Sequence, residues 1–291
     1  MGKIVGGFWV PHDPVMFVAP EAPPQTQRDI VWDAYRQCGE RLAELDATSV
    51  IIVGCDHYIL FGTHCLPRYL IGTGDVDGPV DRLPGLSRRV VKNQEQLANH
   101  IVAQGEQQGV DWTVARSFTM DHSFAIPHQL IVQVAEQRLG RELPSIPVYL
   151  ACGVDPYISF RRAAELGRQL RAAVESFAED ERVVVIGSGG ISHRVGTHDM
   201  GRVSEDFDRE VLALGVSGDL EALCAYRDED ILERGGNGAM EIRNFALAMA
   251  AVPNARGEII AYEPVPEWVT GLGFLQLTPG SGHEQSPVMP T

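Results

Sequence analysis

Four short stretches place a histidine where an apolar run stops: FWVPHDP at 8–14, VGCDHY at 53–58, MDHSFAIP at 120–127 and GSGGISHR at 187–194. Neutral imidazole serves both as a metal ligand and as a proton carrier near neutral pH. One such histidine is weak evidence, but a set gathered at one place has a definite chemistry. Two or three imidazoles with a carboxylate are the usual donors for zinc or non-haem iron. If two histidines hold the metal, His122 and His193 are left for proton transfer. The carboxylate is harder to choose. Glu241, in ERGGNGAMEIRNFALAMAA, falls in the first turn or two of a helix, where the dipole alone accounts for an acidic residue. A ligand role requires the glycines at 235, 236 and 238 to bring that helix end against the histidines. GSGGISH lacks the Lys-Ser/Thr ending of a phosphate loop and the dinucleotide spacing, so its glycines are read as allowing close backbone approach.

The elements that must position these residues follow from periodicity. Strands are predicted at 3–10, 49–55, 68–72, 146–152 and 182–188, with GEIIAYEPV and GLGFLQL as two later candidates. Helices are predicted at 26–46, 86–109, 127–140 and 157–178, and the chain reads as mostly helical from 201 to 250. The alternation gives an α/β class: a single domain with a mostly parallel or mixed central sheet flanked by helices. The strands ending at 10, 55 and 188 run into the loops of His12, His57 and His193. Ligands bind beyond the carboxyl ends of strands in such sheets, so parallel neighbours would set the imidazoles on one rim. Residues 1–278 are taken as the catalytic domain, and the Pro/Gly/Ser-rich 279–291 as a flexible tail.

Composition narrows the partners. The 291 residues carry 24 Lys+Arg against 39 Asp+Glu, a net charge of -15, and no basic run suited to phosphates or anionic lipid. Nucleic acid and membrane are excluded as partners. Five cysteines without a CxxC pair read as reduced thiols, consistent with a cytoplasmic protein.

The order PHDP, CDHY, MDHSFAIP, GSGGISH and NGAMEIRNF resembles the class III extradiol ring-cleaving dioxygenases, over about residues 3–278. That group contains the catalytic subunit of protocatechuate 4,5-dioxygenase and the gallate and 3-O-methylgallate dioxygenases. The resemblance implies Fe(II) held by His12, His57 and Glu241, with His193 as the acid–base residue. It further implies that His122 lines the pocket and supplies a second proton or hydrogen bond. The implied reaction is cleavage of a catecholic acid by O2 to a ring-opened semialdehyde acid. Protocatechuate, gallate, 3-O-methylgallate and a dihydroxylated biphenyl acid are the candidate lignin-derived substrates. Tyr58 and Phe124 are candidate ring-stacking residues, and Trp268 and Thr270 lie where that family contributes substrate contacts. Asp56 and Asp121, each directly before a key histidine, either fix imidazole orientation or cap the following turn. His64, His100, His128, His198 and His283 are read as structural or solvent-facing, His128 as a first-turn surface residue. A homo-oligomer and a small accessory subunit are the protein partners considered. The alternative is a non-catalytic or zinc-binding protein on the same fold.

Overall fold

A computed structural model describes residues 1–62, 64–117 and 119–280. The expected tail falls almost wholly outside the described residues, as does His283. The strands are β1 (Lys3–Val10), β2 (Ser49–Cys55), β3 (Tyr69–Gly72), β4 (Val76–Gly78), β5 (Arg89–Val91), β6 (Thr113–Ala115), β7 (Ser145–Leu150), β8 (Arg182–Ser188), β9 (Arg256–Val265) and β10 (Thr270–Thr278). The α-helices are α1 (Val15–Val18), α2 (Gln25–Glu44), α3 (Glu95–Gln107), α4 (His122–Pro127), α5 (Gln133–Leu139), α6 (Phe160–Ser176), α7 (Glu205–Ser217), α8 (Leu220–Cys224), α9 (Asp228–Arg234) and α10 (Ile242–Ala251). Among the described residues no helix is long and apolar enough to cross a membrane.

Eight strands form one mixed sheet in the order β6-β3-β7-β2-β8-β1-β10-β9. Its centre, β7-β2-β8-β1, is parallel, while β10 joins β1 and β3 joins β7 antiparallel. The sequence of the central strands explains the layering. SVIIVGC and RVVVIGS are almost continuously apolar and buried, as strands covered on both faces must be. Ile51, Val53, Val183 and Val185 pack on one side with Leu97, Leu170 and Leu247 from α3, α6 and α10. Val50, Ile52, Val184 and Ile186 pack on the other with Val31 and Leu42 of α2 and Ala135 of α5. The fold is thus the α/β arrangement that periodicity predicts.

Two predicted helices differ in extent. The 86–109 helix begins only at Glu95, because Arg89–Val91 pairs with β4 instead. Asn93 holds that extended stretch, its side chain donating to the carbonyls of Gly72 and Gly74 at 3.0 Å each. The 127–140 helix starts five residues early, at His122, and passes through a π-helical turn, His128–Val132, before α5.

Candidate metal centre and catalytic pocket

β8 lies between β1 and β2, and all three run parallel. His12 sits two residues beyond β1, His57 two beyond β2, and the glycine loop 189–190 follows β8 directly. The Nδ1 of His12 is 2.8 Å from the Ser188 hydroxyl, which itself donates to the Ser123 carbonyl at 2.9 Å. Nδ1–H therefore donates to Ser188, and the lone pair is left on Nε2. That Nε2 is buried and makes no hydrogen bond. Burial also lowers the His12 pKa, against the opposing pull of Glu241. The imidazole is a neutral donor with nothing beside it to accept its lone pair.

His57 is oriented by Asp121, whose Oδ2 lies 3.1 Å from Nδ1. The same carboxylate accepts from Ser123 Oγ at 2.6 Å, Ser123 N at 3.1 Å and Tyr149 OH at 3.0 Å. Burial would raise its pKa, but the His57 hydrogen bond, the charges of His122 and His57 and the Ser123 hydroxyl pull it down to about 2. Asp121 thus both caps α4 and fixes His57, whereas Asp56 serves only the turn, accepting from the backbone N–H groups of Ile59, Leu60 and Phe61. Asp121→Asn should weaken metal affinity by roughly 10–100-fold, the usual cost of losing the partner that orients a ligand. A chelator competition titration measures this; unchanged affinity would remove Asp121 from the site.

The Nε2 of His57 lies 3.0 Å from Glu241 Oε1, and the Nε2 of His12 lies 3.4 Å from Oε2. Burial would raise the Glu241 pKa, yet His12 and His57 hold it well below the usual range. Two imidazole nitrogens thus converge on an ionised carboxylate. Either His57 takes a proton there or a cation sits among the three. Burial disfavours the proton, although Asp121 and Glu241 together raise the His57 pKa well above its ordinary value. The Nε2 of His12, without a hydrogen bond and 3.4 Å from Glu241, can donate its lone pair to a cation, so the donor set fits a divalent metal.

Glu241 ends a 3₁₀ turn, Gly238–Glu241, and caps α10. What brings it to the rim is the rest of its motif. Arg243, fully buried, donates from Nε to the Ile158 carbonyl at 2.6 Å, and Asn244 donates to the Ser188 carbonyl at 2.7 Å. The Gly190 N–H donates to Glu241 Oε2 at 2.9 Å. The glycines make the close approach: Gly236 has φ +96, a region that favours glycine, and a Cβ on Gly238 would lie 2.2 Å from the His193 ring. Gly238→Ala is therefore expected to displace His193 and cut turnover by about 10²-fold, the lower range for losing a positioned acid–base group. Metal content, measured alongside, should stay at the wild-type level.

His193 is held from behind: its Nδ1 lies 3.0 Å from the Val269 carbonyl and 2.6 Å from Thr270 Oγ1, which leaves Nε2 free. Ser192, beside it, is anchored to Asp208 through its N–H at 2.7 Å and its hydroxyl at 2.9 Å. His122 stacks on His57, ring centroids 4.3 Å apart, and its Nδ1 is 3.1 Å from Asp81 Oδ1. With His12, Asp13, Glu241 and Thr270, these histidines line a cavity of about 210 Å³.

The remaining candidates lie elsewhere. Tyr58, with φ 62, turns outward and is 56% exposed. Phe124 is fully buried and stacks against His128 with centroids 5.9 Å apart. Trp268 is also fully buried, its Nε1 donating to the Ala19 carbonyl at 3.0 Å. Of the four candidate substrate contacts, only Thr270 borders the cavity. His128 corrects the surface reading: it is 2% exposed, and burial pushes its pKa down to about 3. Four residues at the site carry no sequence signal. Cys55 lies 3.5 Å from Glu241 Oε1 and 3.7 Å from His57 Nε2, Ser188 and Asp81 orient His12 and His122, and Asp13 shares the cavity wall.

At the strand ends of an α/β sheet, two imidazoles, a carboxylate and two further histidines gather around a small cavity, a donor set that could hold one metal ion. Residues 6–273 match the family described as the catalytic LigB subunit of aromatic ring-opening dioxygenase. The chain belongs to this family and is an extradiol ring-cleaving dioxygenase. It is similar to 2,3-dihydroxyphenylpropionate/2,3-dihydroxicinnamic acid 1,2-dioxygenase from Photorhabdus laumondii, at 26% identity over 92% of this chain and 95% of the relative. The protein of the same name from Klebsiella pneumoniae is 24% identical, over 92% of this chain and 96% of the relative. An uncharacterized protein from Escherichia coli K12 shares the fold, with TM-score 0.60, 11% identity and coverage of 94% of this chain and 99% of the other.

Proposed function

We propose that the metal is Fe(II), that His12, His57 and Glu241 hold it, and that the substrate is a single-ring catechol. The observation that carries this reading is the buried, unpartnered Nε2 of His12 beside an ionised Glu241 and the Nε2 of His57. Bound Fe(II) supplies redox coupling between ring and O2, which side chains lack. The chain's own residues do the rest. His193 takes a catechol proton on its free Nε2, while Val269 and Thr270 fix its ring. His122, held by Asp81 at the start of α4, faces the cavity beside His57 and returns a proton during ring opening. The cavity, at about 210 Å³, lies below the ~300–1,000 Å³ common for drug-sized ligands, which favours one ring over a biaryl.

The test is oxygen uptake by protein loaded anaerobically with Fe(II), using protocatechuate, gallate, 3-O-methylgallate, 2,3-dihydroxyphenylpropionate and a dihydroxybiphenyl acid. Uptake with a yellow ring-opened product supports the reading; no uptake with any catechol overturns it. A second reading, a zinc protein on the same fold, is favoured by Cys55, a soft donor within reach of His57 and Glu241. Metal analysis of the purified protein separates the two, since zinc at full occupancy without iron-dependent uptake would select the second.

A further inference from the structure

Asp13 is the part of the cavity wall that neither metal binding nor proton transfer uses. It follows His12 directly, is 3% exposed, and lines the cavity with His193 and His122. Its Oδ1 accepts from the Val15 N–H at 2.8 Å, while its Oδ2 is buried and makes no hydrogen bond. Burial raises the Asp13 pKa to about 6 against the opposing pull of His193, the Val15 N–H, Thr270 and His122, and no partner within the protein meets Oδ2 at ordinary hydrogen-bond geometry. Thr270 Oγ1 lies 2.6 Å from His193 Nδ1, and His122 Nδ1 lies 3.1 Å from Asp81 Oδ1. Among the described residues lining the cavity there is no Lys or Arg.

An unsatisfied carboxylate oxygen facing a small cavity demands a donor from whatever enters. An anionic group placed against it would meet a like charge with little solvent to screen it. We propose that Asp13 selects the substrate by its substituent: Oδ2 accepts a hydrogen bond from a ring hydroxyl or a similar donor, and the pocket disfavours a carboxylate at that position. This rests on the catechol reading above and narrows it to catechols that carry a third donor group on the ring.

The experiment compares isosteric sets on the Fe(II)-loaded enzyme. At ring position 3 the set is 3-methylcatechol, pyrogallol and 2,3-dihydroxybenzoate; at position 4 it is 4-methylcatechol, benzene-1,2,4-triol and protocatechuate. Dissociation constants are measured anaerobically by calorimetry, and kcat/KM by oxygen uptake. At one of the two positions, the wild type should bind the hydroxyl compound about tenfold or more tighter than its methyl counterpart, as befits a hydrogen bond to a charged acceptor. The carboxylate should be weakest there. Asp13→Asn should shrink the hydroxyl preference and strengthen the carboxylate compound by about tenfold, because the amide donates where the carboxylate repels. Asp13→Ala should abolish the hydroxyl preference without that gain.

A wild type that prefers methyl to hydroxyl at both positions overturns the proposal, and this comparison needs no variant to fold. Ratios in both variants within about twofold of wild type overturn it too, being far below the effect of a buried charged hydrogen bond. Catechols cleaved with unaltered ratios sink only the role of Asp13. If no catechol is bound or cleaved, the catechol reading falls and the proposal with it.

Discussion

Alanine at position 12 is expected to yield a folded protein that holds almost no metal and takes up oxygen at least about 10³-fold more slowly than wild type. The estimate starts from the roughly 10–100-fold that losing an outer partner of a ligand costs, and a direct ligand must cost more. The imidazole is buried, its Nδ1 is committed to Ser188, and its Nε2 makes no hydrogen bond. Removing it leaves His57 and Glu241, and His57 can then satisfy Glu241 simply by protonation, at the 3.0 Å separation they already have. Metal analysis after anaerobic loading and gel filtration decides the point. A His12→Ala protein with full metal content would show that the centre is not where His12, His57 and Glu241 meet.

Alanine at 193 is expected to produce the opposite pairing: wild-type metal content with turnover lowered by about 10²–10⁴-fold, the range for a positioned acid–base group. His193 touches the site through the cavity, and its ring is tied to Val269, which precedes β10, and to Thr270, its first residue, rather than to the other histidines. Its loss therefore leaves the donor atoms of the centre in place. Substrate affinity measured anaerobically should fall far less than kcat, since the missing group acts on protons. If both alanine variants lose metal equally, the division of labour between His12 and His193 is wrong.

The central strands were legible because burial on both faces leaves an unmistakable signature: β1, β2 and β8 have the bounds that apolar runs at 3–10, 49–55 and 182–188 predict. Their parallel adjacency, with β8 inserted between the other two, is what turns three loop histidines into one rim. Short strands β4, β5 and β6 were not legible, since three residues give no period to read. The site was legible only where a residue's type carries its chemistry. Ser188 and Asp81 act through partners far away in the chain, and a serine or aspartate at a loop has too many ordinary uses to stand out. Tyr58 and Trp268 show the converse. Aromatic side chains near a motif invite a substrate contact, stacking for Tyr58, yet a left-handed backbone turns Tyr58 out, and Trp268 finds its hydrogen-bond partner in Ala19.

The separation in sequence between His12 and Glu241 also bears on the order of events at synthesis. β1 and β2 leave the ribosome early, but the strand that must slot between them begins at Arg182, and the glutamate arrives later still. Until α10 has emerged and Arg243 and Asn244 have docked it, the nascent chain presents imidazoles without their anionic partner. A chain that ends before residue 241 lacks the carboxylate that His12 and His57 face, and is expected to hold no metal.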